Sequence, residues 1–100
     1  MASLDPEAAL DRLIATRQQV AQMCGEPATQ PIPGQIGERY QRAPSLAQRR
    51  FDRLAGETAR IAAAGMSALM TRDQSARPPA ARLLAQTLDR EIGQLLRLVR

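Results

Sequence analysis

The sequence contains no histidine, no lysine and no tryptophan, and its single cysteine is Cys24. Histidine is the usual general base near neutral pH and the commonest metal ligand in proteins. One thiol without imidazoles cannot complete a zinc site, and one cysteine cannot form an internal disulfide bond. We therefore expect no catalytic residues, no metal site and no cofactor, and we predict that the protein is not an enzyme.

Aromatic residues and long apolar runs are also scarce. Tyr40 and Phe51 are the only aromatic residues, whereas sites that hold nucleic-acid bases stack them on several rings. The longest uncharged apolar stretch, residues 61–70, is much shorter than the roughly 20 residues that a helix needs to cross a bilayer. The start of the chain carries Asp5 and Glu7 rather than the basic residues of a signal peptide. We predict a cytoplasmic protein with no membrane partner and no small-molecule substrate.

Large apolar residues are few as well. Leucine, isoleucine, valine and phenylalanine together number 20 in 100 residues, while alanine alone numbers 18. A share of about 20% lies at the border below which highly charged chains stay disordered. We expect one small domain whose helices pack closely through alanine, or complete their burial on another subunit.

Arginine supplies every basic side chain. Lysine and arginine together number 14 and acidic residues 10, which gives a net charge of +4. An all-arginine composition is typical of GC-rich bacterial genomes, so we interpret it first as a sign of bacterial origin. A net charge of +4 is too small to require a nucleic-acid partner.

The first predicted helix spans residues 5–24. Asp5 is a good N-cap, Pro6 suits the first helical position, and Glu7 complements the helix dipole. Gly25 ends the helix. Its apolar face consists of Leu10, Leu13, Ile14, Val20 and Met23 or Cys24, and Arg17 interrupts this face.

Residues 25–44 form a connecting segment with four prolines and three glycines. Structureless loops of this length are uncommon in compact domains, so the segment is either a tether or contains a short helix near residues 35–42. We expect residues 31–33, Pro-Ile-Pro, to be extended. The segment is either a plain linker or a recognition segment, and Tyr40 is a candidate partner contact because tyrosine is enriched among interface hot spots.

Two further helices are predicted, at about residues 46–71 and 78–100. Ser45 and Gln48 match a capping box at the start of the first, and the second begins at Pro78 or Pro79. Gly56 and Gly65 each cost about 1 kcal/mol inside a helix, so we expect close packing at both. The predicted apolar stripes are Ala47, Phe51, Leu54, Thr58, Ile61, Gly65 and Ala68 on one helix, and Leu84, Leu88, Ile92, Leu95 and Val99 on the other.

Since a short connection joins these stripes, the fold class should be all-α: an antiparallel helical hairpin with the N-terminal helix packed on it, as a three-helix bundle or part of an intersubunit bundle. The last helix is apolar beyond its stripe, with Leu83 and Leu98 on one flank and Leu96 on the other. One partner helix cannot cover all three zones. We therefore predict that Leu83, Leu96 and Leu98, with Tyr40, contact a partner.

Arginines form rows on both hairpin helices. Arg49, Arg50, Arg53 and Arg60 on the first are candidate anion-binding residues, although such a row is more often a solvated face. A second row comprises Arg82, Arg90 and Arg97. If the apolar stripes face each other, the two rows should point in opposite directions and would not form one nucleic-acid footprint.

The leading hypothesis is a non-catalytic interaction module, such as an adaptor, assembly factor or chaperone-like subunit, that binds a protein partner or a further copy of itself through apolar helix faces. The alternative is a nucleic-acid-binding regulator that grips phosphates with the arginine row of residues 49–60.

Overall fold

The computed structural model describes residues 5–27 and 34–100. The described residues form four helices and no strands: α1 (Pro6–Cys24), α2 (Ile36–Arg42), α3 (Ser45–Thr71) and α4 (Arg77–Leu98). The fold is all-α, as predicted, with α3 and α4 as the hairpin. The prediction of an extended conformation for residues 31–33 lies outside the described residues.

Helix α1 has the ends that the sequence predicts. The Asp5 carboxylate accepts hydrogen bonds from the backbone N–H groups of Glu7 at 3.1 Å and Ala8 at 3.2 Å. At the other end, Gly25 adopts a left-handed φ of 71° and donates its N–H to the carbonyl of Ala21. Local capping chemistry therefore accounts for both ends of α1.

The connecting segment contains the short helix α2, which its neighbours hold in place. Ile36 is buried in the core, and the N–H of Gly37 donates to the Glu7 carboxylate of α1 at 3.1 Å. The hydroxyl of Tyr40 donates to the Asp52 carboxylate of α3. Helix α2 therefore bridges the start of α1 and the first half of α3.

The predicted capping box at the start of α3 is wrong. Pro44 occupies the N-cap position, and in the described part of the chain no side chain caps this end of the helix. The Gln48 amide donates instead to the Tyr40 carbonyl at 2.7 Å. This carbonyl, near the end of α2, also accepts from the N–H of Ala43 at 3.1 Å, so Gln48 joins two helices rather than completing one.

The buried stripe of α4 is the predicted one, but that of α3 is shifted. Leu84, Leu88, Ile92, Leu95 and Val99 are all buried. On α3 the buried residues are Phe51, Ala55, Thr58, Ala62 and Leu69. Ile61 and Ala68, which the sequence places on the stripe, are exposed. Beyond Thr58 the buried residues of α3 are Ala62 and Leu69, so the buried face turns away from Ile61 and Ala68.

The two glycines of α3 differ in the space around them. A Cβ atom on Gly65 would lie 2.8 Å from both terminal methyl carbons of Leu84, whereas a Cβ atom on Gly56 would meet nothing within 4 Å in the described structure. The prediction of close packing is therefore confirmed at Gly65 and wrong at Gly56.

This difference predicts opposite effects for the same substitution. Gly56→Ala should raise the free energy of unfolding by about 0.5–1 kcal/mol, because the helix loses its glycine penalty at no steric cost. Gly65→Ala should lower it, since overpacking costs about 1–3 kcal/mol and exceeds the propensity gain. Urea denaturation followed by circular dichroism measures both changes. Equal stabilisation by both alanines would contradict the close approach of α4 at Gly65.

Helix α1 packs mainly on α4 and less extensively on α3. The core consists of aliphatic side chains from all four helices and of Phe51. Among the described residues, no helix is both long and apolar enough to span a membrane. Among the described residues, α1 covers one side of the α3–α4 hairpin and the other side is open to solvent.

Candidate partner-binding surface

On the open side, a groove of about 430 Å³ lies between the first half of α3 and the end of α4. We call it the hairpin groove. The antiparallel arrangement of the two helices brings these segments together. The hairpin groove is lined by Arg50, Arg53, Leu54 and Glu57 of α3 and by Gln94, Arg97 and Leu98 of α4.

The groove combines an apolar base with a basic rim. Leu54 and Leu98 are half-buried and pack against the core. Arg50, Arg53 and Arg97 are exposed. Across residues 5–27 and 34–100, none of these three guanidinium groups pairs with a carboxylate. With Glu57 as the one acidic lining residue, the groove has an excess of positive charge.

The expectation that the two arginine rows point in opposite directions is wrong at this end of the hairpin. Arg97 of α4 lines the same groove as Arg50 and Arg53 of α3. The other two members of the α4 row are engaged elsewhere. Arg82 pairs with Glu26 at 2.8 Å, and Arg90 pairs with Glu91 at 3.3 Å.

The remaining candidate anion-binding residues lie outside the groove. Arg49 and Arg60 are exposed, but neither lines the hairpin groove. On a helical wheel, Arg49 lies about 100° from Arg50, on the outward face of α3. The predicted row of four therefore separates into two residues that line the groove and two that do not.

A second cavity of about 390 Å³ lies at the same end of the bundle. Its lining residues are Gln35, Arg39, Arg42, Ala43, Pro44, Leu98 and Arg100. Leu98 therefore lies between two cavities, each with three arginines. Glu38 pairs with Arg42 at 3.4 Å across an exposed turn of α2. Arginines from α2, α3 and α4 are concentrated at this end.

Two exposed apolar side chains extend the open face towards the α3–α4 turn. Ile61 is 44% exposed and Leu83 is 67% exposed. Ile61 lies seven residues after Leu54, which places both within about 20° on α3. Leu83 precedes Gln94 by eleven residues, which again corresponds to about 20° on α4. Both side chains therefore lie on the same side of the hairpin as the groove.

The structure places the predicted contact leucines on two surfaces rather than one. Leu83 and Leu98 belong to the open side of the hairpin. Leu96, on the opposite flank of α4, is half-buried and packs against the core. Helix α1 covers much of that flank, since it packs mainly on α4.

Tyr40, the fourth predicted contact, is half-buried between α2 and α3. Its ring packs edge-on against Phe51, with the ring centroids 5.5 Å apart. Burial and the hydrogen bond to Asp52 raise the pKa of the Tyr40 hydroxyl above its ordinary value. Tyr40 therefore has a clear role in attaching α2 to α3, and its role as a partner contact stays a prediction.

The interaction that the sequence reasoning missed involves Arg17. Its side chain is only 2% exposed, although the sequence presents it as a break in the apolar face of α1. The guanidinium donates to both oxygens of Asp89 of α4, at 2.8 and 3.0 Å. Further hydrogen bonds reach the carbonyls of Glu26 at 3.0 Å and Pro27 at 2.8 Å.

The pKa of the Arg17 guanidinium is raised chiefly by its hydrogen bond to Asp89, against the opposing effect of burial. Arg17 is therefore charged at any physiological pH. Together these contacts join α1, the residues that follow it and α4. A charged residue in the middle of an apolar face indicates a buried ion pair. The sequence does not identify the partner, which lies 72 positions away.

The described residues bring no three potential metal ligands of the histidine, cysteine, aspartate or glutamate type together. Comparison of the chain with family models, with curated proteins and with solved structures finds no match. The observations that bear on function are therefore those of the surface of the chain.

Proposed function

We propose that this chain is a non-catalytic interaction module, bacterial and cytoplasmic, that binds a protein partner through the open side of the α3–α4 hairpin. The supporting observation is that α1 covers one side of the hairpin, while the other side keeps a groove with a leucine base. Adaptors, assembly factors and chaperone-like subunits all act through surfaces of this kind. Interface centres are typically apolar with a polar rim.

The exposed apolar residues around the groove support this proposal. Single exposed hydrophobic residues are common on protein surfaces, but aligned ones that continue a groove are typical of interaction sites. Ile61 and Leu83 continue the two walls of the hairpin groove. Leu46, 57% exposed at the start of α3, lies within about 20° of Arg53 on the helical wheel.

A matched pair of substitutions tests the proposed surface. Leu83→Glu introduces a charge on the open side, and Met70→Glu introduces the same charge elsewhere. Met70 is a good control because it is 62% exposed and lies about 180° from Ile61 around α3. Tagged wild-type protein and both variants are used in pull-downs from an extract of the native host, and sedimentation measures self-association.

We expect Leu83→Glu to lose bound partner, or self-association, that wild type and Met70→Glu retain. Circular dichroism serves as the folding control, since substitutions at exposed sites usually change stability by less than about 0.5 kcal/mol. The proposal is wrong if wild type is monomeric and all three proteins retain the same set of bound proteins.

A second candidate function is nucleic-acid binding, which the concentration of arginines at one end of the bundle favours. Arg50, Arg53 and Arg97 lie beside a second cavity with three further arginines. Phosphate contacts make affinity fall steeply with added salt, whereas apolar packing responds little or strengthens. Gel-shift experiments at low salt with duplex DNA and with RNA test this function, and the absence of any retarded band excludes it.

A further inference from the structure

We infer that the hairpin groove accepts an acidic amphipathic helix of the partner protein. This inference rests on the proposed function and specifies the chemistry of the partner at the same site. A helix laid in a groove places apolar anchors at spacings of three and four residues on the base, and its flanking side chains reach the rim. In this groove the leucine base fits the apolar anchors of such a helix, and the arginine rim fits its acidic flanking side chains.

The rim selects for negative charge. Arg50, Arg53 and Arg97 have no carboxylate partner among the described residues, and Glu57 is the one acidic group in the lining. A guanidinium group binds a carboxylate through two parallel hydrogen bonds, which makes arginine better than lysine for this recognition. Glutamate or aspartate beside the apolar stripe of a docked helix would supply the missing charges.

The base and its extension select for an apolar stripe. Leu54 and Leu98 form the base, and Leu83 lies 15 residues before Leu98, which corresponds to about 22 Å along α4. A docked helix of about four turns covers this length. Such a helix presents an apolar side chain every three or four residues, as a groove with this base requires.

Two other occupants fit the groove less well. A nucleic acid would make no use of a leucine base, and its bases would find no free aromatic ring: Phe51 is buried, and Tyr40 is half-buried with its hydroxyl bonded to Asp52. A second copy docked groove to groove about a two-fold axis would bring both sets of arginines into one interface. Charge complementarity therefore favours an acidic helix over both alternatives.

Fluorescence anisotropy with designed peptides tests the inference on the full chain. The first labelled peptide has about 18 residues, with leucine at every third or fourth position and glutamate and alanine elsewhere. The second peptide replaces each glutamate with lysine. The third keeps the composition of the first but breaks the leucine stripe. A DNA duplex of similar charge is the fourth probe.

The key variant is Arg53→Glu with Arg97→Glu, and the matched control is Arg12→Glu with Arg72→Glu. Both pairs make the same change in net charge. Arg12 and Arg72 are exposed and are not among the groove residues. A general effect of net charge would therefore appear in both variants, whereas an effect of the groove appears in one.

We expect the glutamate peptide to bind wild type about ten times more tightly than the lysine peptide or the scrambled peptide, equivalent to about 1.4 kcal/mol. The Arg53→Glu, Arg97→Glu variant should lose this preference and favour the lysine peptide, while the control variant keeps the wild-type order. Added salt should weaken binding of the glutamate peptide, because exposed charges are screened.

Several results would overturn the inference. The inference is wrong if the glutamate peptide does not bind wild type, or if the scrambled peptide binds as tightly as the glutamate peptide. It is also wrong if the control variant loses as much affinity for the glutamate peptide as the Arg53→Glu, Arg97→Glu variant does. Tighter binding of the DNA duplex than of the glutamate peptide, through Arg53 and Arg97, would likewise contradict it. If Leu83→Glu abolishes capture of a partner but the arginine reversals do not, the proposed function stands and the acidic helix is wrong. If Leu83→Glu has no effect on capture, the proposed function itself fails.

Discussion

Asp89→Ala should lower the free energy of unfolding by about 3–5 kcal/mol, the usual cost of removing one partner from a buried ion pair. The substitution leaves the Arg17 guanidinium charged, 2% exposed and without its carboxylate. The carbonyls of Glu26 and Pro27 would be its remaining partners, and neither carries a full negative charge. Since small domains are stable by only about 5–15 kcal/mol, the loss is a large part of the total.

The effect depends on which partner is removed. Arg17→Met should cost less than Asp89→Ala, because the Asp89 side chain is 21% exposed and can regain water. The double variant Arg17→Met, Asp89→Leu should recover much of the loss, since apolar side chains of similar volume often replace a buried pair at little cost.

Urea denaturation of Arg17→Met, of Asp89→Leu and of the double variant Arg17→Met, Asp89→Leu gives the coupling energy directly. Additive effects would show that the pair contributes nothing beyond its separate side chains. An Asp89→Ala protein as stable as wild type would contradict the burial of Arg17.

The second large effect is expected at Phe51. Phe51→Ala should lower the free energy of unfolding by about 3–5 kcal/mol, the range for removing a buried aromatic side chain. Phe51 is fully buried and supports the ring of Tyr40 at a centroid distance of 5.5 Å. A core with so few large side chains has little else to fill the cavity.

Ile61→Ala on the same helix is the matched control. Because Ile61 is 44% exposed, its truncation should cost no more than about 0.5 kcal/mol. Thermal and urea denaturation of both variants measure the contrast. A large loss for Ile61→Ala would support the stripe predicted from the sequence, and a small loss for Phe51→Ala would contradict the full burial of Phe51.

Local patterns predicted much of the fold. The Asp5 cap, Pro6 and Gly25 locate α1, because caps depend on residues adjacent in sequence. The stripe of α4 was predicted correctly since its large aliphatic residues repeat without ambiguity. On α3 many neighbouring positions are alanine, so that hydrophobicity does not distinguish the face towards Ile61 from the face towards Ala62. Burial in the folded chain separates them, since Ala62 is 4% exposed and Ile61 is 44% exposed.

The candidate surface was predictable only in part. Leu83 and Leu98 were identified as surplus leucines, and Arg50 and Arg53 as members of a row. The meeting of Arg97 with that row depends on how α3 and α4 are rotated against each other, which periodicity alone does not determine. The Arg17–Asp89 pair, with its 72-residue separation, likewise requires the tertiary arrangement.

The ion pairs that acidic side chains form within the chain affect the rate at which a partner associates. Asp89 is paired with Arg17 and Glu26 with Arg82, while the groove arginines face solvent. The field near this end of the bundle is therefore more positive than the net charge of +4 indicates. A field of this kind steers oppositely charged partners and raises association rates by about 10- to 1,000-fold at low salt. Substitution of groove arginines should therefore slow encounter as well as shorten the lifetime of the complex.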